Sequence, residues 1–337
     1  YIIPKPFDPR VLTWVAPAVA AAAMETGVAR KPIEDFDEYR MRLDIRMGRT
    51  QELIARMYTK ASNEPKRIVL AEGEEYRVIK AAQIALDEGI AKPVLIGEEE
   101  EIRRVAEEHG VDLEGIDIVN PRKHSRMDQY VQEYYRLRQR KGVTPYYARR
   151  NIMTRRNYFA AMMVHTGDAD CMISGYTSHY PDTIRPALEI IGRDKRFRKV
   201  SGCYMLSTKT RPYFLADTTV NIDPTAEDIA DITLQSAELA EKFDVEPRVA
   251  LLSYSNFGSN REASAMKMRS ALEIVRERRP DLMVDGEMQA DTAVVPEIIE
   301  ETFPFSVLKG GANVLIFPDL NSGNIAYKLL SRIGGMS

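Results

Sequence analysis

The chain has 337 residues, 44% of them hydrophobic and 29% charged, with a formal net charge of −3. That length supports two domains with substantial cores, and the charge balance excludes the basic footprint of a nucleic-acid or membrane-surface binder. The two cysteines, Cys171 and Cys203, lie far apart in strand-like apolar runs and read as reduced core residues of a cytoplasmic protein.

Residues 1–30 combine turn chemistry at Pro4, Pro6 and Pro9 with a short Ala-rich helix over 11–26, closed by Gly27. This helix is shorter than the ~18–20 residues a membrane span needs. The first residue is Tyr1, so the chain reads as part of a longer one. Residues 31–65 form a charged helical linker. Its apolar positions Phe36, Tyr39, Leu43, Met47, Leu53, Ile54 and Met57 are loosely periodic, with a break at Gly48.

From Lys66 the pattern becomes strand and helix in alternation. A buried strand over 67–71 leads to a helix over 74–88, then a strand at 93–97, an acidic-start helix at 98–108 and a strand at 116–119. Helices at about 124–141, 144–151 and 154–166 precede a short strand at 171–173 and a further helix. Crossovers of this length predict a largely parallel sheet with helices on both faces. Two strands over 199–206 and 212–220 read as a hairpin. The remainder alternates again: helix 224–243, strand 249–252, helix 260–278, strand 282–284, helix 294–301, strand 313–317 and helix 321–333.

Several signals of chemistry are absent. No G-x-G-x-x-G, P-loop or G-x-S-x-G motif occurs, and His109, His124, His165 and His179 have no metal-ligand spacing. Chemistry in a parallel sheet belongs at the C-terminal ends of the strands. The most informative such end is Cys171-Met172-Ile173-Ser174-Gly175, followed by a polar loop with Thr177, Ser178 and His179. Asp182 and Thr183 then open a helix periodic through Ile184, Leu188 and Ile191. A strand, a loop and a helix N-terminus collect anions. Arg185 falls in the first turn of that helix, where the dipole disfavours a cation, so its presence points to a negative ligand sharing the space. His179 is a further candidate donor.

Four more strand ends, at 71–73, 252–259, 285–289 and 317–324, supply small hydroxyls, amides, glycines and carboxylates. These suit phosphate, pantetheine or ribose contacts, and equally well suit turns and caps. The cluster Arg136, Arg138, Arg140 and Lys141 ends the long helix, where cations favour the dipole and a solvated face is the default.

Residues 66–337 resemble the phosphate acetyltransferase (phosphotransacetylase) family. The resemblance runs through the segments 71–80, 168–175, 182–188, 216–227, 285–291 and 317–324, which include Glu72, Asp182, Arg185, Asp285 and Glu287. Residues 1–30 look like the C-terminal tail of a bacterial malic enzyme domain, and the Tyr180-Pro181 variant of the loop is similar to that of the large bacterial NADP-dependent malic enzymes, in which a phosphotransacetylase-like domain follows the catalytic one. The resemblance implies an α/β, two-subdomain fold similar to that of isocitrate and isopropylmalate dehydrogenases, with subdomains over 66–197 and 198–337.

In phosphotransacetylases the CoA thiol attacks acetyl phosphate, arginines neutralise the phosphate, an Asp serves as base and a Ser-Arg pair orients the transition state. Arg185 matches one family arginine and Arg138 a second. The base and the Ser-Arg pair lie in a family segment beyond the Gly334-Gly335 pair, and this chain stops at Ser337, so no catalytic residue is assigned to it. The resemblance therefore implies a regulatory and oligomerising domain, at least dimeric, that binds acetyl-CoA as an allosteric inhibitor. Its partner is an N-terminal malic enzyme domain, and NADP and Mg or Mn would bind only there. Arg185 and Arg138 would grip the phosphates, with Ser174, Thr177 and Asn321 in support. Two rivals are an active acetyltransferase whose tail lies outside the chain and a purely structural oligomerisation module. No metal, nucleic acid or membrane is expected as a partner of this chain.

Overall fold

A computed structural model describes residues 11–36, 39–40, 43, 49–208 and 211–336. The proline turns expected within the first ten residues and the break at Gly48 lie outside the described residues. The N-terminal helix begins as a π-helical turn, Val11–Val15, on which Trp14 is 72% exposed, and continues as α1 (Ala16–Glu25). The expected linker supplies α2 (Arg49–Asn63). Among the described residues no helix is long and apolar enough to cross a membrane. By contacts the chain separates into two compact units, one of residues 56–193 and one of residues 194–337 with 1–55.

The 56–193 unit is built on a four-stranded, all-parallel sheet. Its strands are β1 (Lys66–Leu70), β2 (Ala91–Ile96), β3 (Asp117–Val119) and β4 (Cys171–Ile173), in the order β3-β2-β1-β4. Helices α3 (Tyr76–Asp87) and α4 (Glu99–Glu108) alternate with the first three strands. After β3 come α5 (Met127–Arg138), α6 (Pro145–Thr154) and α7 (Arg156–His165), and α8 (Tyr180–Ile190) follows β4.

Successive strand residues face opposite sides of a sheet, and the two cores of this unit follow that alternation. Val69, Ala71, Val94 and Ile96 pack with Tyr130, Tyr134, Ile152 and Phe159, whereas Leu70 and Leu95 pack with Ile79, Ile102 and Val105. Burial on both faces explains why these strands read as continuous apolar runs rather than alternating ones. The turn after β1 presses against β2: Gly73 N–H donates to the Ile96 carbonyl at 3.1 Å. A Cβ at Gly73 would lie 2.8 Å from both the backbone N and O of Ile96.

The 194–337 unit holds a five-stranded sheet of order β5-β6-β9-β7-β8. The expected hairpin is there: β5 (Cys203–Ser207) and β6 (Pro212–Ala216) are antiparallel, with Cys203 opposite Ala216. The other pairings are parallel. Helix α9 (Ala226–Lys242) starts with a capping box between Thr225 and Asp228. It is followed by β7 (Arg248–Leu252), α10 (Ala263–Arg278) and β8 (Met283–Met288). The helix expected over 294–301 is two short ones, α11 (Ala290–Val294) and α12 (Pro296–Thr302). Pro296 forces Val295 into an extended conformation and breaks the run. Strand β9 (Val314–Ile316) and α13 (Leu320–Arg332) complete the unit. Alternation again divides the core, with Phe214, Val249, Leu251 and Val314 on the α9 and α10 side and Leu215, Ala250 and Leu315 on the other.

Two expectations are corrected here. Asp285 and Glu287 were expected in a loop beyond a strand at 282–284, but β8 runs on through both to Met288. Strand geometry holds because partners come to the carboxylates: Arg276 reaches Asp285 at 3.0 Å, and Arg269 reaches Glu287 at 3.1 Å. Second, α8 begins at Tyr180, two residues before the Asp182 start that the sequence suggested. Pro181 occupies its first turn, where a missing N–H costs nothing. Arg185 therefore stands in the second turn, and the dipole argument for it weakens.

Candidate anion-binding site

The β4–α8 loop is organised around a carboxylate from the end of the neighbouring strand. Glu72 follows β1, is only 6% exposed, and accepts from four consecutive backbone N–H groups. Gly175 and Tyr176 donate to Oε2 at 3.1 and 2.9 Å. Thr177 and Ser178 donate to Oε1 through both their N–H groups, each at 2.9 Å, and their hydroxyls, at 3.1 and 2.9 Å. Burial alone would raise the Glu72 pKa. The donors of Thr177, Tyr176 and Ser178 outweigh it and hold the carboxyl down at about 2.

A second side chain holds both ends of the same loop. Asn157, at the start of α7 and 9% exposed, accepts from the Ser174 hydroxyl at 2.7 Å. Its Nδ2 donates to the Asp182 carbonyl at 3.1 Å. The second bond has a local cause. Pro186 lies inside α8 and has no N–H to give the carbonyl four residues back. That carbonyl belongs to Asp182, and Asn157 supplies the missing donor.

The five residues expected to bind the ligand divide accordingly. Arg138, Ser174, Thr177 and Arg185 belong to the 56–193 unit, and Asn321 belongs to the other, exposed in the first turn of α13. Ser174 and Thr177 have their hydroxyls engaged internally, on Asn157 and Glu72. Arg185 is exposed and makes no hydrogen bond or ion pair among the described residues. Glu189, one turn further along α8, pairs with Arg138 at 3.6 Å and accepts from the Tyr134 and Tyr158 hydroxyls at 3.0 and 3.2 Å. Residues four apart on a helix are neighbours on its surface, so Arg185 and the Arg138 partner share one side of α8. Arg138 itself keeps a buried Nε with no hydrogen-bond partner among the described residues. His179 is the exposed N-cap residue of α8, and its side chain makes no capping bond.

The sequence reading missed Glu72 and Asn157, although Glu72 stood in a motif it singled out. No grouping of His, Cys, Asp and Glu suited to a metal occurs among the described residues. Both cysteines are free thiols, and burial raises their pKa values, to about 12 for Cys203.

The other unit has its own carboxylate-centred loop. Asp217, 3% exposed at the end of β6, accepts from the N–H groups of Gly202, Thr219, Val220 and Asn221. Helix α13 packs against this turn. Asn324 Nδ2 donates to the Thr218 carbonyl at 3.0 Å, and a Cβ at Gly323 would lie 2.3 Å from the Asp217 carbonyl oxygen.

Comparison with known proteins adds the following. The family model described as phosphate acetyl/butaryl transferase matches residues 52–337. The NADP-dependent malic enzyme of Escherichia coli K12 is 43% identical over 333 residues, which is 98% of this chain and 44% of that protein. A phosphate acetyltransferase of Synechocystis is 42% identical over 274 residues, 81% of this chain and 39% of that protein. A solved phosphotransacetylase from Streptococcus pyogenes superposes with a TM-score of 0.81 at 36% identity, over 85% of this chain and 87% of that one. The α/β fold is thus phosphotransacetylase-like, and the chain is homologous to the C-terminal region of bacterial NADP-dependent malic enzymes. It spans less than half the length of the malic enzymes it matches.

Proposed function

Since the chain belongs to the phosphate acetyl/butaryl transferase family, we propose that its 56–193 unit carries a phosphotransacetylase-type site for acetyl phosphate or the phosphates of CoA. The observation that carries this reading is Arg185, an exposed cation without a partner among the described residues, beside a loop held at both ends. Arg138 supports it as a second cation of the same unit, paired with Glu189 one turn along α8 from Arg185. In the first form of the reading, the protein containing this site transfers acetyl between phosphate and CoA. The likeness to a solved phosphotransacetylase over 85% of the chain supports that form.

A second form is regulatory, and a different observation favours it. The malic enzyme match takes in 98% of the chain, whereas the match to the Synechocystis phosphate acetyltransferase takes in 81%. In this form the domain senses acetyl-CoA and oligomerises within an NADP-dependent malic enzyme, whose catalytic residues, NADP and divalent metal lie elsewhere in the parent. Inhibition would require acetyl-CoA to bind two states of the parent unequally.

One assay on the full-length parent separates the two. Acetyl phosphate and CoA are supplied and thioester formation is followed, then acetyl-CoA is titrated into malate oxidation. Thioester turnover at ~1–10³ per second establishes the first form. Inhibition without turnover establishes the second. Under either, Arg185→Ala should weaken the acetyl phosphate KM or the acetyl-CoA inhibition constant about ten- to a hundredfold, the worth of one charged hydrogen bond. Unchanged constants would remove Arg185 from the site.

A further inference from the structure

Successive backbone N–H groups converging on one point form an anion nest, the device by which many proteins hold phosphate. The nest at 175–178 already holds an anion, and that anion belongs to the chain. Six donors, four backbone and two hydroxyl, meet the two oxygens of Glu72. Six donors more than fill the roughly four lone-pair sites of the carboxylate, so each of these N–H and O–H groups is already engaged on Glu72. The loop is thereby fixed along four residues, and Asn157 fixes positions 174 and 182 on either side. Beyond the held stretch stand His179, Tyr180 and Arg185, all exposed.

We infer that Glu72 is the positioning residue of this loop, a permanent internal anion that occupies the nest and sets how the start of α8 meets the ligand. The inference rests on the reading of Arg185 as a ligand-binding residue. It also says where the ligand's charge does not go. The N–H groups of 175–178 are closed to phosphate, which must be met by side chains of α8 and by Arg138. Thr177 then supports the loop from within. Charge is essential to the role. A glutamine at position 72 would offer one carbonyl oxygen to donors that now converge on two, and would set its own N–H groups against the rest.

The test compares the wild-type chain with Glu72→Ala and Glu72→Gln. Hydrogen exchange across 174–179, melting temperature and acetyl-CoA affinity are measured in sodium formate and in sodium chloride of equal ionic strength. Glu72→Ala should lose protection at 175–178 and at least tenfold in affinity. Formate, a free carboxylate small enough for the vacated nest, should restore both in a saturable way that chloride does not match. Glu72→Gln should lose protection without rescue, because its amide fills the space. Formate acting no better than chloride on Glu72→Ala would overturn the inference, as would wild-type protection and affinity in Glu72→Gln. If Glu72→Ala does not fold, exchange in Glu72→Gln decides alone: rapid exchange confined to 175–178 supports the role, and unchanged protection rejects it. Should the wild-type chain bind no acetyl-CoA, the reading of Arg185 fails, while exchange and formate rescue still judge Glu72.

Discussion

Glu72 also makes a claim about acid stability. Its folded pKa, about 2, lies below the ordinary 4.5. A depressed carboxyl contributes stability in full above its unfolded pKa and loses it as pH falls through the folded one. The difference corresponds to about 3 kcal/mol, at 1.36 kcal/mol per unit. Urea titrations should therefore show this contribution intact at pH 5 and mostly gone near pH 2. Glu72→Gln should begin less stable at pH 5 and lose less on acidification, and parallel pH profiles for the two proteins would contradict the assignment. The residue also shows what the sequence hid. Ser174 and Thr177 look like ligand contacts because hydroxyls after a strand often are. Their actual acceptors differ in reach: Asn157 lies 17 residues away and Glu72 more than a hundred. No local pattern announces a partner that only the pairing of β1 with β4 brings close.

Among the elements, the strands were legible where both faces are buried, since apolar runs bounded by glycine and proline leave little choice. The sheet order was not, because it depends on which crossovers pass over which face. Strand β8 was cut short for a chemical reason. Asp285 and Glu287 read as loop residues, and the arginines of α10, with Ser306 on Asp285 and Ser255 and Gly258 on Glu287, make them tolerable in a strand. The start of α8 was misjudged because Pro181 looked like the end of a loop when it is the first turn of a helix. The turn after β1 gives the test at this scale. Gly73→Ala would push a methyl against the backbone of Ile96, which cannot swing aside as a side chain would. A loss of about 1–3 kcal/mol is expected, in line with overpacking elsewhere. Chemical denaturation should read it as a lower midpoint with an unchanged slope. Wild-type stability would mean the β1 turn is looser than its geometry suggests.

At the scale of the molecule, the 56–193 unit and the 194–337 unit each have their own sheet and a core on both of its faces. A chain so divided is a poor candidate for one all-or-none transition. Calorimetry should give an enthalpy larger than the van 't Hoff value, or two resolved peaks, and equality of the two enthalpies would show tight coupling. The overall α/β class and the hairpin were readable from periodicity, and the family from motifs spread over the chain.

The position of the one tryptophan has a practical outcome. Trp14 stands open to solvent on the N-terminal helix, ahead of the family match that begins at residue 52. Indole emission therefore watches that helix, while the β4–α8 loop and the cores of both units are silent in the same channel. Any part of a longer parent chain that packs there would announce itself as a blue shift, read without a label or a substitution.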